Sequence, residues 1–433
     1  MLIFSTPTPP SPLTAERSPW LRGPVRVPGE PALSRLALVL AALARGESVL
    51  ERLGGGPQTA AVARTLAALG VGVAERAGRW HVQGIGMGGL LGPLAPLDLA
   101  GAGAAAPLLL ALLGAHAFES RVTGLAADPL TGVLLDFLAR NGIGVAWEEG
   151  DTLVLRGARF AVPLDLTLPA EALALKEPLL LQALLAAGTS ILQVPDGRAD
   201  ALELLLAGFG ARLAEAAAGD GRRLEIAGLA PLRPQSYAAP GDPALAAFAA
   251  VAALVAPDSE VTIADVAHAP ERPGLFAALA QLGGDIRLAP GGRPGIADIE
   301  VRYSRLVGTT LPAALDIAPE DRTLLAIAAA FAEGETLIEG MAEGHHRLAL
   351  TRGLRDNGVD CEEREGGLLV RGQPAVPGGG KVATRLDPKL AMGFLVLGMA
   401  ARQPVTIDDG GVMDDIFPDF VAAFEHIGAS FSQ

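Results

Sequence analysis

Glu320-Asp321-Arg322, in the stretch PEDRT, places two carboxylates beside a guanidinium at the start of an apolar helical run. Carboxylates so placed can move protons as a general base, and they equally suit the first turn of a helix, where the backbone dipole favours negative charge. Only three lysines, Lys176, Lys381 and Lys389, stand among 34 basic residues, so amine-dependent chemistry has few candidates. Lys176 lies in an otherwise apolar helical run, and Lys389 follows Asp387-Pro388 at another helix start. His345-His346-Arg347 offers proton donors or metal ligands. Adjacent histidines do not share one face as a His-x-x-x-His pair does, so they read as loop residues. The single cysteine, Cys361, excludes an internal disulfide and a cysteine-cluster metal site, and in the hairpin NGVDCEEREGGLLV it reads as a structural thiol. The glycines of GIGMGG (84–89) and PGGGK (377–381) lack the spacing of a phosphate loop and read as turns.

The elements that position these residues repeat along the chain. An apolar helix, a turn and a β-branched strand recur with the turn at Gly46, Gly114, Gly188, Asp258, Gly334 and Gln403, in steps of 68, 74, 70, 76 and 69 residues. A second helix then stops at its own glycine in each copy, at Gly70, Gly142, Gly210, Gly283, Gly358 and Gly428. Two independent marks with one period of about 72 residues predict six strand–helix–strand–helix–hairpin units. The sixth copy ends at Gln433 before its hairpin, while WLRGPVRVPG (20–29) reads as a strand without a preceding helix. The N-terminal strand therefore completes the C-terminal half. This predicts an α/β inside-out barrel of two domains, 29–236 and 237–433, the second completed by 1–28, with Met1–Arg17 as a loose terminal arm.

Composition narrows the partners. Half the residues are hydrophobic but only 4% are aromatic, so the core is built from Ala, Leu, Val and Ile, and stacking platforms for nucleic acid are not expected. A formal net charge of −14 argues against a phosphate-backbone surface, which needs clustered Lys and Arg. Leu99–Phe118 carries no charged residue, yet it falls on one of the six equivalent helices, so no membrane span is expected. The start has no basic segment ahead of an apolar run and does not read as a signal peptide, and with one cysteine a cytoplasmic protein is the expectation. Each unit's first helix starts from a short loop, several with an acidic cap before proline, as in Glu30-Pro31, Asp242-Pro243 and Asp387-Pro388. If these N-termini converge on an interdomain cleft, a small anionic or polyhydroxylated ligand is the expected partner of a monomeric protein.

Four stretches carry a resemblance over essentially the whole length: PGEPALSRLALVLAALARGES (28–48), GDPALAAFAAVAALVAPDSEVTIADV (241–266), ADIEVRYSRLVG (297–308) with LLAIAAAFAEGETLIEGMAE (324–343), and DPKLAMGFLVLGMA (387–400). In these the chain resembles the 5-enolpyruvylshikimate-3-phosphate synthase (3-phosphoshikimate 1-carboxyvinyltransferase) family. The resemblance implies two domains of three units, a double crossover, and cofactor-free transfer of the enolpyruvyl group of phosphoenolpyruvate to shikimate 3-phosphate. It further implies a general base at Glu320 or Asp321, with Lys176, Arg322, Lys389 and Arg35 as ligand contacts.

Many positions depart from the family pattern. Where Lys-Ser-x-Ser-x-Arg is usual the chain has Pro31-Ala32-Leu33-Ser34-Arg35-Leu36, and Gly-Asn-Ala-Gly-Thr-x-x-Arg has become Ala100–Pro107. Asp128-Pro129 replaces Arg-Pro, Ala172-Leu173-Ala174 replaces Ser-Ala-Gln, and the Asp-Glu pair is inverted as Glu320-Asp321. His345-His346-Arg347 shortens a Lys-Glu-Ser-Asp-Arg segment, Asp387-Pro388-Lys389 replaces Asp-His-Arg, and Asp415 replaces a lysine. A charge-assisted hydrogen bond contributes roughly 1.5–3 kcal/mol, and helix dipoles roughly 0.3–1 kcal/mol each do not make up for half a dozen missing cations. The expectation is a diverged member that binds or acts on a shikimate- or cyclitol-like molecule with ordinary transfer weak or lost. The alternatives are an authentic transferase with a rebuilt site and a catalytically silent binding or scaffold protein.

Overall fold

The computed structural model describes residues 10–158, 161–195, 200–219, 221–268 and 274–433; the first nine residues of the expected terminal arm lie outside them. The chain forms two compact units, Gly29–Pro240, and Met1–Pro28 together with Gly241–Gln433. The helices in chain order are α1 (Pro31–Leu43), α2 (Gly56–Ala68), α3 (Ala106–Gly114), α4 (Pro129–Arg140), α5 (Lys176–Leu185) and α6 (Ala201–Gly208) in the first unit. The second holds α7 (Pro243–Val255), α8 (Gly274–Gln281), α9 (Arg322–Ala329), α10 (His345–Asp356), α11 (Pro388–Ala400) and α12 (Phe420–His426).

The first unit has three four-stranded sheets, each built alike. In one, Leu97–Asp98 lies parallel to Glu119–Thr123, which pairs antiparallel with Thr152–Arg156, and Gly144–Glu148 closes the hairpin. The other two repeat this order around Thr189–Val194 and Arg45–Glu51. The parallel edge of the last comes from Ser236–Ala238, which pairs with Val49–Glu51, and so ties residues past 236 to the first unit.

The second unit repeats the plan with a difference at its ends. Arg22–Val25 supplies the parallel edge beside Glu260–Ala267. Leu13–Glu16 sits between Val405–Ile407 and Ser430–Ser432, antiparallel to both, in the place where the other units have their own hairpin strand. The terminal arm expected over Met1–Arg17 is therefore corrected: two strands, not one, cross from the N-terminus. The alternation in Leu-Thr-Ala-Glu explains it, with Leu13 and Ala15 buried and Thr14 and Glu16 turned outward.

α7, with ALAAFAAVAALV, is apolar all round because it is buried all round. α7, α9 and α11 pack on one another in the core of the second unit. The six glycines that end the second helices all have positive φ, between 76° and 111°, a conformation that glycine adopts without a side-chain clash. Among the described residues no helix is long and apolar enough to cross a membrane. Gly353 of α10 faces Phe394 of α11, and a Cβ there would lie 2.3 Å from the ring carbon Cζ, closer than van der Waals contact allows. This close approach sets α10 against α11 and so positions the start of α10. Gly353→Ala is expected to cost about 1–3 kcal/mol by overpacking a ring that is fully buried. Urea unfolding reads this directly, and an unchanged midpoint would contradict the packing argument.

Candidate active site

Three helix starts of the second unit bring polar side chains together. The acidic residue before proline caps its helix as the sequence suggests: Asp387 Oδ1 accepts from the amides of Lys389 at 2.9 Å and Leu390 at 3.0 Å. Its other oxygen, Oδ2, lies 2.5 Å from Nδ1 of His346. Nε2 of the same ring lies 2.5 Å from the Thr323 hydroxyl. Burial raises the Asp387 carboxyl, but the His346 hydrogen bond and the two amides outweigh it and hold the group below the usual carboxylate range.

Asp321 precedes α9 but makes no capping hydrogen bond; its carboxylate instead pairs with the Lys389 ammonium. Glu320 is exposed beside it. Of the two candidate bases, only Asp321 thus joins a cation in the cluster. Arg322 turns away from it and is fully buried. Its Nη1 donates to the carbonyls of Pro312 at 3.2 Å and Glu339 at 2.7 Å, and its Nη2 to those of Ala313 at 3.0 Å and Leu315 at 2.8 Å. Arg322, expected to contact ligand, instead clamps the ends of the strands Thr310–Leu311 and Gly334–Glu339 to the turn that leads into α9. Gly340, at φ 72°, lets the guanidinium approach, since a Cβ there would lie 3.3 Å from its carbon.

In the first unit the two candidate cations are also engaged. Arg35 Nε bonds both oxygens of Glu177 at 2.9 Å, and Nη2 adds a second contact to that carboxylate. Burial pushes Glu177 up to about 7, with the Arg35 charge acting in the opposite direction. Lys176, 3% exposed, places its ammonium 2.7 Å from Asp200 and 2.6 Å from Glu203. Glu203 meanwhile holds Arg222 in a fork at 2.8 and 2.9 Å, and Arg222 reaches Glu215 at 2.6 Å. The expected ligand contacts Arg35 and Lys176 therefore sit inside buried ion pairs. The first helix N-terminus is likewise occupied by its own carboxylate, with Glu30 accepting from the Leu33 amide at 2.7 Å.

The histidines expected in a loop are the first two residues of α10. What the sequence reading missed is the contact of His346 with Asp387 and Thr323, which lie 41 and 23 residues away along the chain. A signal existed in a histidine pair directly ahead of the helical spacing of Leu348, Leu350 and Leu354, with a capping aspartate opening the next unit's helix. For Lys176 the signal was Glu203, and for Arg35 it was Glu177, two acids inside apolar helices that require a buried cation. Cys361 is buried and its thiol faces the Thr351 carbonyl at 3.6 Å.

Comparison with known proteins then gives a consistent result. Residues 16–424 match the family model described as EPSP synthase (3-phosphoshikimate 1-carboxyvinyltransferase). A protein of Parvibaculum lavamentivorans named 3-phosphoshikimate 1-carboxyvinyltransferase is 39% identical, covering 97% of both chains. One of the same name from Rhizobium johnstonii is 37% identical over 96% of this chain and 97% of its own. The structure of EPSP synthase from Acinetobacter baumannii superposes with a TM-score of 0.84 at 26% identity, over 98% of this chain and 100% of that one. The enolpyruvyl transferase NikO of Streptomyces tendae shares the fold, with a TM-score of 0.72 at 20% identity, over 98% and 99% of the two chains.

Proposed function

Because this chain belongs to the EPSP synthase family, we propose that it transfers a carboxyvinyl group from phosphoenolpyruvate to a hydroxyl of 3-phosphoshikimate through a rebuilt site on its second unit. The reading is carried by the cluster in which Asp321 and Lys389 pair beside the His346–Asp387 contact. Transfer to an alcohol requires a base for the hydroxyl proton, and it requires positive charge for the phosphate and carboxylate of the donor. Asp321 supplies a carboxylate at the start of α9, with Glu320 adjacent. Lys389 supplies an ammonium at the start of α11, where the helix dipole adds to its charge.

A second reading is favoured by the pairing of the cations. Arg35 and Lys176 are neutralised by buried carboxylates, Arg322 is engaged by carbonyls, and Glu30 fills the start of α1. Two phosphorylated, carboxylated ligands would have to compete with these partners. Each competing charge-assisted bond contributes roughly 1.5–3 kcal/mol. On this reading the ligand is less anionic, a shikimate- or cyclitol-like polyol, and ordinary transfer is weak.

Release of inorganic phosphate from phosphoenolpyruvate, dependent on 3-phosphoshikimate, decides between them. Thermal unfolding with each compound provides the binding counterpart, since a ligand at about 100 times its dissociation constant adds roughly 2.7 kcal/mol. Phosphate release together with a shift from the phosphorylated pair is the expected outcome of the first reading. No release, with a shift from unphosphorylated shikimate alone, replaces it with the second.

A further inference from the structure

We propose that His346 is a positioning residue, which braces the starts of α9, α10 and α11 so that the Asp321 carboxylate and the Lys389 ammonium are held as a pair. The contacts close a ring. Asp321, just before α9, pairs with Lys389 on α11. Two residues back along the chain, Asp387 caps α11 through the amides of Lys389 and Leu390. Its other oxygen meets Nδ1 of His346 at 2.5 Å, and Nε2 of the same ring meets the Thr323 hydroxyl at 2.5 Å, two residues after Asp321. Apolar packing in the core of the second unit holds the bodies of α9 and α11. Their first turns are less enclosed, since the Asp321 and Lys389 side chains are 15% and 25% exposed, so the polar links fix them. Without the imidazole, the ion pair is the one side-chain link of this ring left between α9 and α11.

The hydrogen bonds assign the role. An ionised carboxylate only accepts, so Asp387 places a ring proton on Nδ1. A threonine hydroxyl both donates and accepts, so Nε2 keeps its partner whether the ring is neutral or charged. Both nitrogens are therefore spent on the protein, and Thr323 is buried. The ring holds elements together and takes no ligand proton, which leaves that task to the Asp321 carboxylate.

The chain ahead of α11 provides a separate observation. Arg385 and Leu386 take successive left-handed conformations, at φ 54° and 61°, in a turn closed by the Asp387 amide on the Thr384 carbonyl at 3.0 Å. Residues with side chains persist in such a conformation where their surroundings hold them there. Both ends of this turn are held. Asp408 Oδ1 accepts from the amide and the hydroxyl of Thr384 at 2.9 and 2.7 Å, and His346 with the two α11 amides holds Asp387. Asp387 is thus placed against the local preference of its own turn, and Lys389 follows it.

The inference rests on the carboxyvinyl-transfer reading for what the pair does, and the brace itself can be read without turnover because the chain has only three lysines. Acetic anhydride applied to the folded full chain, followed by mass spectrometry, ranks Lys389 against the exposed Lys381 and the buried Lys176. Lys389, shielded by Asp321, is expected to react several-fold more slowly than Lys381. In His346→Ala it is expected to approach the Lys381 rate, as it does in Asp321→Asn, which removes its partner directly. His346→Asn, whose amide can still donate to Asp387, is expected to fall between, and it carries the test if the alanine variant does not fold. A role in stability alone would shift the unfolding midpoint and leave the Lys389 to Lys381 ratio as in the wild type, and that result overturns the proposal. In the phosphate-release assay His346→Ala is expected to lower kcat/KM by about 10–10²-fold, the scale of a misplacement of about 1 Å, with part recovered in His346→Asn. If the wild-type chain releases no phosphate, the transfer reading falls while the lysine ratio still judges the brace. Phosphate release with wild-type kcat/KM in His346→Ala overturns the positioning role.

Discussion

Arg322→Met lowers the unfolding free energy of the unit formed by Met1–Pro28 and Gly241–Gln433 by about 4–5 kcal/mol, the upper end of what a single substitution does. The methionine fills much of the same volume, so the loss comes from polar groups. Four carbonyls, of Pro312, Ala313, Leu315 and Glu339, lose the guanidinium donor in a place where Arg322 is fully buried, and of these Pro312 and Leu315 keep the amides of Leu315 and Ile317. Each unsatisfied buried acceptor costs roughly 1–3 kcal/mol, less where the turn can relax toward water. Guanidinium-induced unfolding followed by hydrogen exchange on 310–340 measures it. A loss under about 1 kcal/mol would mean that the turn before α9 does not depend on the clamp. The effect has a functional consequence, because this turn carries Asp321 and leads into α9, which holds Thr323. A variant that still folds is expected to misplace the Asp321–Lys389 pair, which gives a KM and kcat defect from a residue that touches no ligand.

The same residue shows where sequence reasoning stops. The fold was legible because it is written in periodic signals: the six glycines after the second helices and the recurrent helix–turn–strand marks are local, and several helix starts, those of α1, α4, α7 and α11, declare themselves through an acid before proline. The swap of Leu13–Glu16 into the last sheet was half legible, since WLRGPVRVPG reads as an N-terminal strand with no helix before it, but a four-residue alternation is too short to stand out in a Pro- and Ser-rich arm. The site was not legible in the same way. A buried arginine that binds carbonyls and an arginine that grips a phosphate have the same letter, and only burial and direction separate them. His346 could be placed only when three helix starts, distant in sequence, had been brought together.

Glu203→Gln is the second large effect, with an expected loss of about 3–5 kcal/mol from the Gly29–Pro240 unit. Glu203 is 5% exposed and neutralises two cations at once, Lys176 at 2.6 Å and Arg222 through a fork. The amide keeps the shape but removes the charge, so Lys176 is left to Asp200, and Arg222 to the half-exposed Glu215. Breaking a buried ion pair by removing one partner is strongly destabilising because the other charge stays desolvated. Lys176→Met provides the contrast. It removes the smaller share of the network, since Glu203 retains Arg222, and it is expected to cost about 1–3 kcal/mol, with the double variant less destabilised than the sum of the two. A lysine kept for a ligand would behave in the opposite way: its removal would leave folding almost untouched and abolish binding. Chemical denaturation of the three variants, alongside shikimate and 3-phosphoshikimate titrations, separates these cases. A destabilised Lys176→Met with unchanged ligand affinity assigns Lys176 to the core of the first unit, and a stable one with lost affinity returns it to the site.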